Sequence, residues 1–189
     1  MADSPTIRVL GLAGSLRQKS FNRAALRAAA ELAPPGMQIE IFDRLGEIPL
    51  YDEDMREGQS FPPAVQDLRD RIKAADALLL ATPEYNYSVP GVLKNAIDWA
   101  SRPPEQPFDG KPIAIMGASP GVLGTARAQY HLRQVFIFLN GLVMNRPEVM
   151  IGQAGTRFDA EGRLTDEKTR EVVQGFLAGL KTWAERLRR

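Results

Sequence analysis

Short apolar runs alternate with helical patterns along the whole chain. Apolar runs bounded by turn residues predict buried strands, and apolar residues at three- and four-residue spacing predict helices with one buried face. Strands are predicted at residues 7–13, 38–42, 77–82 and 112–118, with a weaker fifth strand within 142–151. Helices are predicted at residues 23–32, 64–74, 92–100, 126–139 and 166–187.

The alternation of strands and helices predicts an α/β fold. Residues 77–82 are apolar throughout, which is typical of a parallel strand covered on both faces. Five such strands favour a flavodoxin-like doubly wound sandwich with a five-stranded parallel sheet in the order 2-1-3-4-5. No repeat or linker divides the chain, so residues 1–189 are predicted to form a single domain. In the final helix, a core-facing stripe is predicted from Val172, Phe176, Leu180, Trp183 and Leu187.

The composition argues against several classes of function. With 189 residues, 44% hydrophobic, the chain is long enough to bury a core of its own. The 24 basic and 23 acidic residues form no block of like charge, which argues against nucleic-acid or membrane partners. Because neither a membrane span nor a signal-peptide pattern is present, we expect a cytoplasmic protein. The absence of cysteine excludes thiol catalysis and cysteine-held metal centres, so redox chemistry would require an organic cofactor.

Three loops follow the first, third and fourth predicted strands, and in a doubly wound fold such loops converge where ligands bind. The first, residues 14–22, joins a strand to a helix, whose N-terminus offers unpaired N–H groups to an anion. Arg17 can add a two-pronged contact to phosphate oxygens, while Ser15, Ser20 and Asn22 can donate or cap. The loop matches neither the Walker A nor the dinucleotide fingerprint. The alternative is an ordinary turn with Ser20 as N-cap and Arg17 in solvent.

The second loop, residues 82–91, contains two prolines, two tyrosines and an asparagine. Such a loop can present donors and acceptors to the polar edge of a flat heterocycle while an aromatic ring packs nearby. We expect main-chain N–H groups near Tyr85 and Asn86 to serve that purpose. A structural loop whose tyrosines merely cover the core would have the same composition, and this alternative stays open.

The third loop contains Gly117-Ala-Ser-Pro-Gly121, which matches the nucleophile elbow of α/β hydrolases. A triad would require an acid and then a histidine after Ser119. The single histidine is His131, and no Asp or Glu lies between the two, which argues against a hydrolase. We expect instead that Ser119, Gly121 and Gly124 form a rim where main chain approaches a ligand. For His131, a packing or interface role is favoured over acid–base catalysis.

Together, residues 14–22, residues 83–91 and residues 128–133 resemble the NADPH-dependent FMN reductase family, especially its chromate and quinone reductase branch, whereas residues 117–120 of the third loop differ from the related enzymes. The resemblance spans nearly the whole chain. It implies one noncovalent FMN per subunit and no metal, NADPH or NADH as electron donor, and quinones, chromate or free flavin as acceptors in a ping-pong reaction. It implies FMN phosphate contacts from Ser15, Arg17, Ser20 and Asn22. It implies isoalloxazine contacts from Pro83, Glu84, Tyr85, Asn86 and Ser119.

The resemblance also implies a homodimer or homotetramer, with intersubunit contacts from Tyr87, Arg127, Tyr130 and Glu148. Two alternative functions stay open. One is an electron carrier without turnover, although such carriers are strongly acidic and this chain is nearly neutral. The other is a flavin reductase that supplies reduced FMN to a partner monooxygenase. The sequence does not show whether NADPH or NADH is the preferred electron donor, because no basic cluster is assigned to a 2′-phosphate.

Overall fold

The computed structural model describes residues 6–56 and 58–188 and contains a parallel sheet flanked by helices. The strands are β1 (Ile7–Ala13), β2 (Met37–Phe42), β3 (Ala77–Ala81), β4 (Pro112–Ala118), β5 (Leu142–Val143) and β6 (Val149–Ile151). The helices are α1 (Phe21–Glu31), α2 (Pro63–Ala74), α3 (Gly91–Ala100), α4 (Ala126–Phe138) and α5 (Glu167–Leu187). None of the helices so described has the length and apolar character needed to cross a membrane.

The sheet follows the order β2-β1-β3-β4-β5, which confirms the predicted topology. Two cores lie on its two faces: one is shared with α1 and α5, and the other with α2, α3 and α4. Successive side chains of β3 enter opposite cores, and all five residues of this strand are buried. The continuous apolar run in the sequence therefore reflects burial on both faces.

The fifth predicted strand is two short strands. β5 pairs with the start of β4, where Val143 lies opposite Ile113, and β6 pairs with the end of β4, where Val149 lies opposite Met116. The expected five strands are thus corrected to six among the described residues. Pro147 lies between the two strands and has no N–H to donate to a ladder, which is consistent with the interruption.

The predicted apolar stripe of α5 is partly wrong. Val172 is 49% exposed, whereas the neighbouring Val173 is buried together with Phe176, Leu180 and Ala184. Both valines fit three- and four-residue spacing from Phe176, so periodicity alone could not choose between them. The packing of α5 on the sheet decides in favour of Val173.

Candidate functional site

Hydrogen bonds join the three loops at the carboxyl edge of the sheet, where they were expected to converge. Ser15 of the first loop lies with its Oγ 3.5 Å from the Tyr85 Oη of the second. Asn22, at the start of α1, reaches the end of β4: its Nδ2 donates to the Ala118 oxygen at 2.9 Å, and its Oδ1 accepts the Ala118 N–H at 2.8 Å. The loops therefore form one connected site.

The first loop offers donors that no protein group uses. Ser20 caps α1, because its Oγ accepts the N–H groups of Asn22 and Arg23 at 3.2 and 3.4 Å. Its hydroxyl hydrogen stays available for donation. The Arg17 side chain is exposed and forms no ion pair or hydrogen bond within residues 6–56 and 58–188. Five main-chain N–H groups of this loop have no acceptor among the described residues, namely those of Ser15, Leu16, Gln18, Lys19 and Phe21.

These observations agree in part with each of the two interpretations of the first loop. Ser20 is an N-cap and Arg17 does face solvent, as the alternative predicted. The unused N–H groups nevertheless surround the N-terminus of an 11-residue helix, and the hydroxyl groups of Ser15 and Ser20 are buried beside them. Such a set of donors suits a phosphate group, so the loop fits the phosphate end of FMN.

Asn22 is used mainly within the protein. It is buried, and the two hydrogen bonds to Ala118 occupy its carbonyl oxygen and one of its two amide hydrogens. The expected phosphate contact stays a prediction that would have to use the remaining amide hydrogen. The bridge itself holds the first and third loops at a fixed separation.

The second loop contains a tight turn. Tyr85 and Ser88 exchange main-chain hydrogen bonds of 3.2 and 3.1 Å, and the central residues Asn86 and Tyr87 have φ values of 50° and 68°. Two left-handed central residues are typical of a type I′ turn. The Tyr85 N–H is therefore not free for a ligand, contrary to expectation, whereas the Asn86 N–H has no acceptor within the described chain.

The tyrosines of this turn do not cover the core. Tyr85 is 47% exposed and Tyr87 65% exposed, so the structural alternative for this loop is wrong. Pro83 is buried at the start of the loop, while Asn86 is exposed at its tip. Of the expected ring contacts, Tyr85 and Asn86 therefore present exposed side chains at the edge of the site.

Glu84 has a function that the sequence did not reveal. Its Oε2 accepts the N–H groups of Arg127 and Ala128 at 3.0 and 3.2 Å, and its Oε1 accepts Arg127 Nη1 at 2.9 Å. Burial raises the pKa of the Glu84 carboxyl, but these hydrogen bonds outweigh it and hold the pKa below its ordinary value. Thr125, the residue before α4, has a φ of 72° and provides no side-chain cap. The carboxylate of Glu84 replaces that cap by accepting N–H groups that lie 43 and 44 residues away in the sequence.

The third loop is fixed by main-chain contacts with the segment after β6. The Ser119 N–H donates to the Ile151 oxygen, and the Ser119 oxygen accepts the Ala154 N–H, each at 3.0 Å. The Ser119 Oγ lies 3.3 Å from the Gly121 oxygen. His131 pairs instead with Ser88, Nδ1 to Oγ at 3.0 Å. Ser119 therefore lacks a histidine partner among the described residues, which agrees with the exclusion of a hydrolase.

Two glycines of this region are required by the packing of the protein itself. A Cβ on Gly117 would overlap Thr125 Oγ1 and lie 2.5 Å from the Thr82 oxygen. A Cβ on Gly124 would collide with the main chain of Met150. The expectation that Gly124 allows close approach of a ligand is corrected, because β6 occupies the space against it.

The four expected intersubunit residues form two pairs near the second loop. The Arg127 guanidinium lies 3.7 Å from the centre of the Tyr87 ring. Tyr130 Oη lies 3.5 Å from Glu148 Oε2. Both tyrosines are exposed, so they are accessible to another molecule. Their role in assembly stays a prediction.

Comparison with known proteins identifies relatives over the whole length of the chain. Residues 7–156 match the family model of NADPH-dependent FMN reductases. The chain is 62% identical over 185 residues to an NAD(P)H-dependent FMN reductase of Pseudomonas aeruginosa, covering 98% of this chain and 99% of that protein. It is 44% identical over 186 residues to a quinone reductase of Escherichia coli, with coverage of 98% and 99%. The solved structure of FerB, a flavoenzyme NAD(P)H:(acceptor) oxidoreductase from Paracoccus denitrificans, matches with a TM-score of 0.86 and 39% identity, covering 96% and 98% of the two chains.

Proposed function

The chain belongs to the NADPH-dependent FMN reductase family, and from this premise we propose how its own residues serve an NAD(P)H-dependent quinone reductase. The protein is an FMN-dependent oxidoreductase. The observation that carries the residue assignment is the set of donors in the first loop, where unused main-chain N–H groups, the buried hydroxyl groups of Ser15 and Ser20 and the free guanidinium of Arg17 lie around the start of α1.

Ser15, Arg17 and Ser20 hold the phosphate of FMN in this proposal, together with the N–H groups at the start of α1. The positive end of the helix dipole and the guanidinium both favour a doubly charged anion there. Asn22 contributes mainly by position, because its amide joins α1 to Ala118 and so fixes the distance between the two ends of the flavin site.

The isoalloxazine ring of FMN is flanked by Pro83, Tyr85 and Asn86 of the second loop and by Ser119 of the third loop. The N–H of Asn86 is the donor that the turn leaves available. Ser119 is held by two main-chain hydrogen bonds, so the rim opposite the turn is rigid. Glu84 supports the ring site indirectly, since its carboxylate fastens the second loop to α4.

When bound, FMN supplies hydride transfer from NAD(P)H and then to the acceptor. The chain's contribution is to orient the reactants, which makes the reaction effectively unimolecular, and to stabilise developing charge with fixed dipoles. Quinones are the proposed acceptor class, because a quinone reductase is 44% identical over nearly the full length and because the exposed rings of Tyr85 and Tyr87 offer flat apolar surface to a planar molecule. Chromate is a second acceptor, to be tested in the same assay. The expected cytoplasmic location stays a prediction.

The testing experiment is the visible spectrum of the purified protein, recorded anaerobically before and after NADPH and then a quinone. We expect flavin bands that bleach with NADPH and return with quinone. Flavin bands that stay unchanged after addition of NADPH or NADH would favour an electron carrier. A colourless protein that binds no added FMN would contradict the phosphate assignment, and loss of FMN during gel filtration would favour the flavin reductase with a partner monooxygenase.

A further inference from the structure

Thr125, the residue before α4, has a main-chain conformation that is unusual for its residue type. Its φ and ψ are 72° and 23°, in the left-handed region, and it is 1% exposed. A β-branched residue rarely adopts this region, because its side chain crowds the main chain. Gly124 before it has a φ of 53°, so the third loop ends in two consecutive residues with positive φ. Strain of this kind persists only where surrounding contacts enforce it.

The residues that precede α1 and α5 have the ordinary geometry of an N-cap. Ser20 and Asp166 have extended main chains, with φ values of −76° and −75°, and their side chains accept N–H groups of the helix that follows. Threonine also caps helices well, yet the hydroxyl group of Thr125 accepts no N–H group of α4. It lies against β4 instead, where a Cβ on Gly117 would overlap Thr125 Oγ1. The left-handed main chain therefore keeps this hydroxyl group from capping the helix.

The N–H groups that Thr125 does not use are those that Glu84 accepts. An N-cap side chain accepts N–H groups from the second or third residue of its helix, which in α4 are Arg127 and Ala128. Glu84 Oε2 accepts these same two N–H groups, at 3.0 and 3.2 Å. The two caps are therefore alternatives, because an extended Thr125 would occupy the N–H groups by which Glu84 fastens the second loop to α4.

Gln129 holds Thr125 in the left-handed conformation. This side chain is fully buried, and its Nε2 lies 3.1 Å from Thr125 Oγ1, 3.0 Å from the Val149 oxygen and 3.4 Å from the Gly124 oxygen. These contacts join the end of the third loop to β6. Gln129 Oε1, in contrast, has no hydrogen-bond donor among the described residues. Burying an unsatisfied acceptor is costly, so the donor half of this amide is what accounts for a glutamine at this position.

We propose that Gln129 is a positioning residue for the flavin ring site: it keeps Thr125 from capping α4, and so leaves the start of this helix to Glu84 and the second loop. The proposal rests on the proposed function, in which residues of the second loop flank the ring. Without Gln129, Thr125 relaxes to the extended conformation, its hydroxyl group accepts the N–H groups of α4, and Glu84 is released. FMN binding must then restore the original arrangement, so the apparent affinity falls with the fraction of molecules that have it.

The test is Gln129→Met, which keeps the approximate size of the side chain and removes the amide. We expect the pKa of Glu84 to rise toward its ordinary value of about 4.3 in the apoprotein. NMR of the side-chain carboxyl carbons measures this pKa, and the signal that is missing in Glu84→Gln provides the assignment. Fluorescence titration should show FMN binding weakened by about fivefold, the usual effect of one helix cap. Gln134→Met, on the exposed side of α4, is the matched control and should change neither quantity.

A second variant separates this role from a general loss of stability. Glycine adopts a φ of 72° without strain and has no side chain that could cap, so Thr125→Gly should leave the start of α4 to Glu84. Its addition to Gln129→Met should restore both the lowered pKa of Glu84 and the native FMN affinity. A double variant no better than Gln129→Met would overturn the proposal. An unchanged pKa of Glu84 in Gln129→Met would overturn it as well.

If Gln129→Met does not fold, the double variant decides the question alone. A folded double variant in which the pKa of Glu84 is lowered as in the native protein supports the proposal, and any other result overturns it. Failure of the proposed function is distinguishable, because the native protein would then bind no FMN. The pKa of Glu84 is measured without flavin and would still respond to Gln129→Met.

Discussion

Arg17 is the side chain on which the phosphate assignment is tested most directly, because nothing in the described chain competes for it. We predict that Arg17→Ala weakens FMN binding by at least about tenfold, corresponding to about 1.5 kcal/mol for a charge-assisted contact. Fluorescence titration of the apoprotein with FMN measures this. Arg186→Ala, on the exposed side of α5, is the control and should leave the affinity for FMN unchanged. If Arg17→Ala also left this affinity unchanged, the assignment of Arg17 to the phosphate site would be wrong.

Asn22 and Glu84 illustrate the limit of prediction at the residue scale. The sequence placed both at the site, and the structure does bring them to the edge of the sheet where the loops meet. Their partners, however, are Ala118 and the start of α4, which lie 96 and more than 40 residues away. Local spacing carries no information on contacts of that kind, so a polar side chain that stabilises the site could not be distinguished from one that binds the ligand.

Helix α4 depends on Glu84 for its N-terminal cap. We predict that Glu84→Gln lowers the free energy of unfolding by about 1 kcal/mol at pH 7, the usual value of a cap. Because the pKa of Glu84 is lowered in the folded protein, its contribution is present above the unfolded-state pKa of about 4.3 and is lost as the pH falls through the lower folded-state value. The native protein and Glu84→Gln should therefore differ less in their free energies of unfolding at pH 3.5 than at pH 7, as measured by urea unfolding. An equal difference at both pH values would show that the carboxylate charge is not involved.

The junction between β4 and the third loop depends on Gly117. We predict that Gly117→Ala destabilises the protein by about 3 kcal/mol, because the added methyl group collides with Thr125 and with the main chain of Thr82. Gly121→Ala is the control in the same loop, since its nearest neighbour is Ser119 Oγ at 3.7 Å. Thermal unfolding of the two variants gives the comparison, and similar melting temperatures would contradict the prediction.

At the element scale, long apolar patterns were predictable and short edge strands were not. The bounds of β1 and β4 agree with the prediction to the residue, because each is a buried run closed by turn residues. The division of the fifth strand into β5 and β6 depends on how each piece pairs with β4. Pairing with a distant strand is a tertiary effect, and a two-residue strand leaves no periodic pattern in the sequence.

The surface of the whole molecule contains an apolar face on α4. Ile137 is 78% exposed and Phe138 87% exposed, and Tyr130 lies two turns earlier on the same helix. Large exposed apolar side chains grouped on one helix mark interaction sites. We predict a homo-oligomer whose mass falls when Ile137 and Phe138 are both replaced by Ser, as measured by sedimentation equilibrium. Val172→Ser, on α5 at the opposite face of the sheet, should leave the mass unchanged, and a native monomer would contradict the prediction.

Because the fifth strand is divided, the edge of the sheet beside β4 consists of two separate strands, β5 and β6. β6 lies beside the ligand end of β4, where Ile151 accepts the N–H of Ser119, and β5 lies at the far end. Because short elements that pair separately open separately, the amide hydrogens at the two ends should exchange with solvent at unrelated rates. Removal of FMN should speed deuterium uptake at Val149–Ile151 and leave Leu142–Val143 unaffected, so that the molecule loosens at its binding edge while the opposite edge keeps its protection.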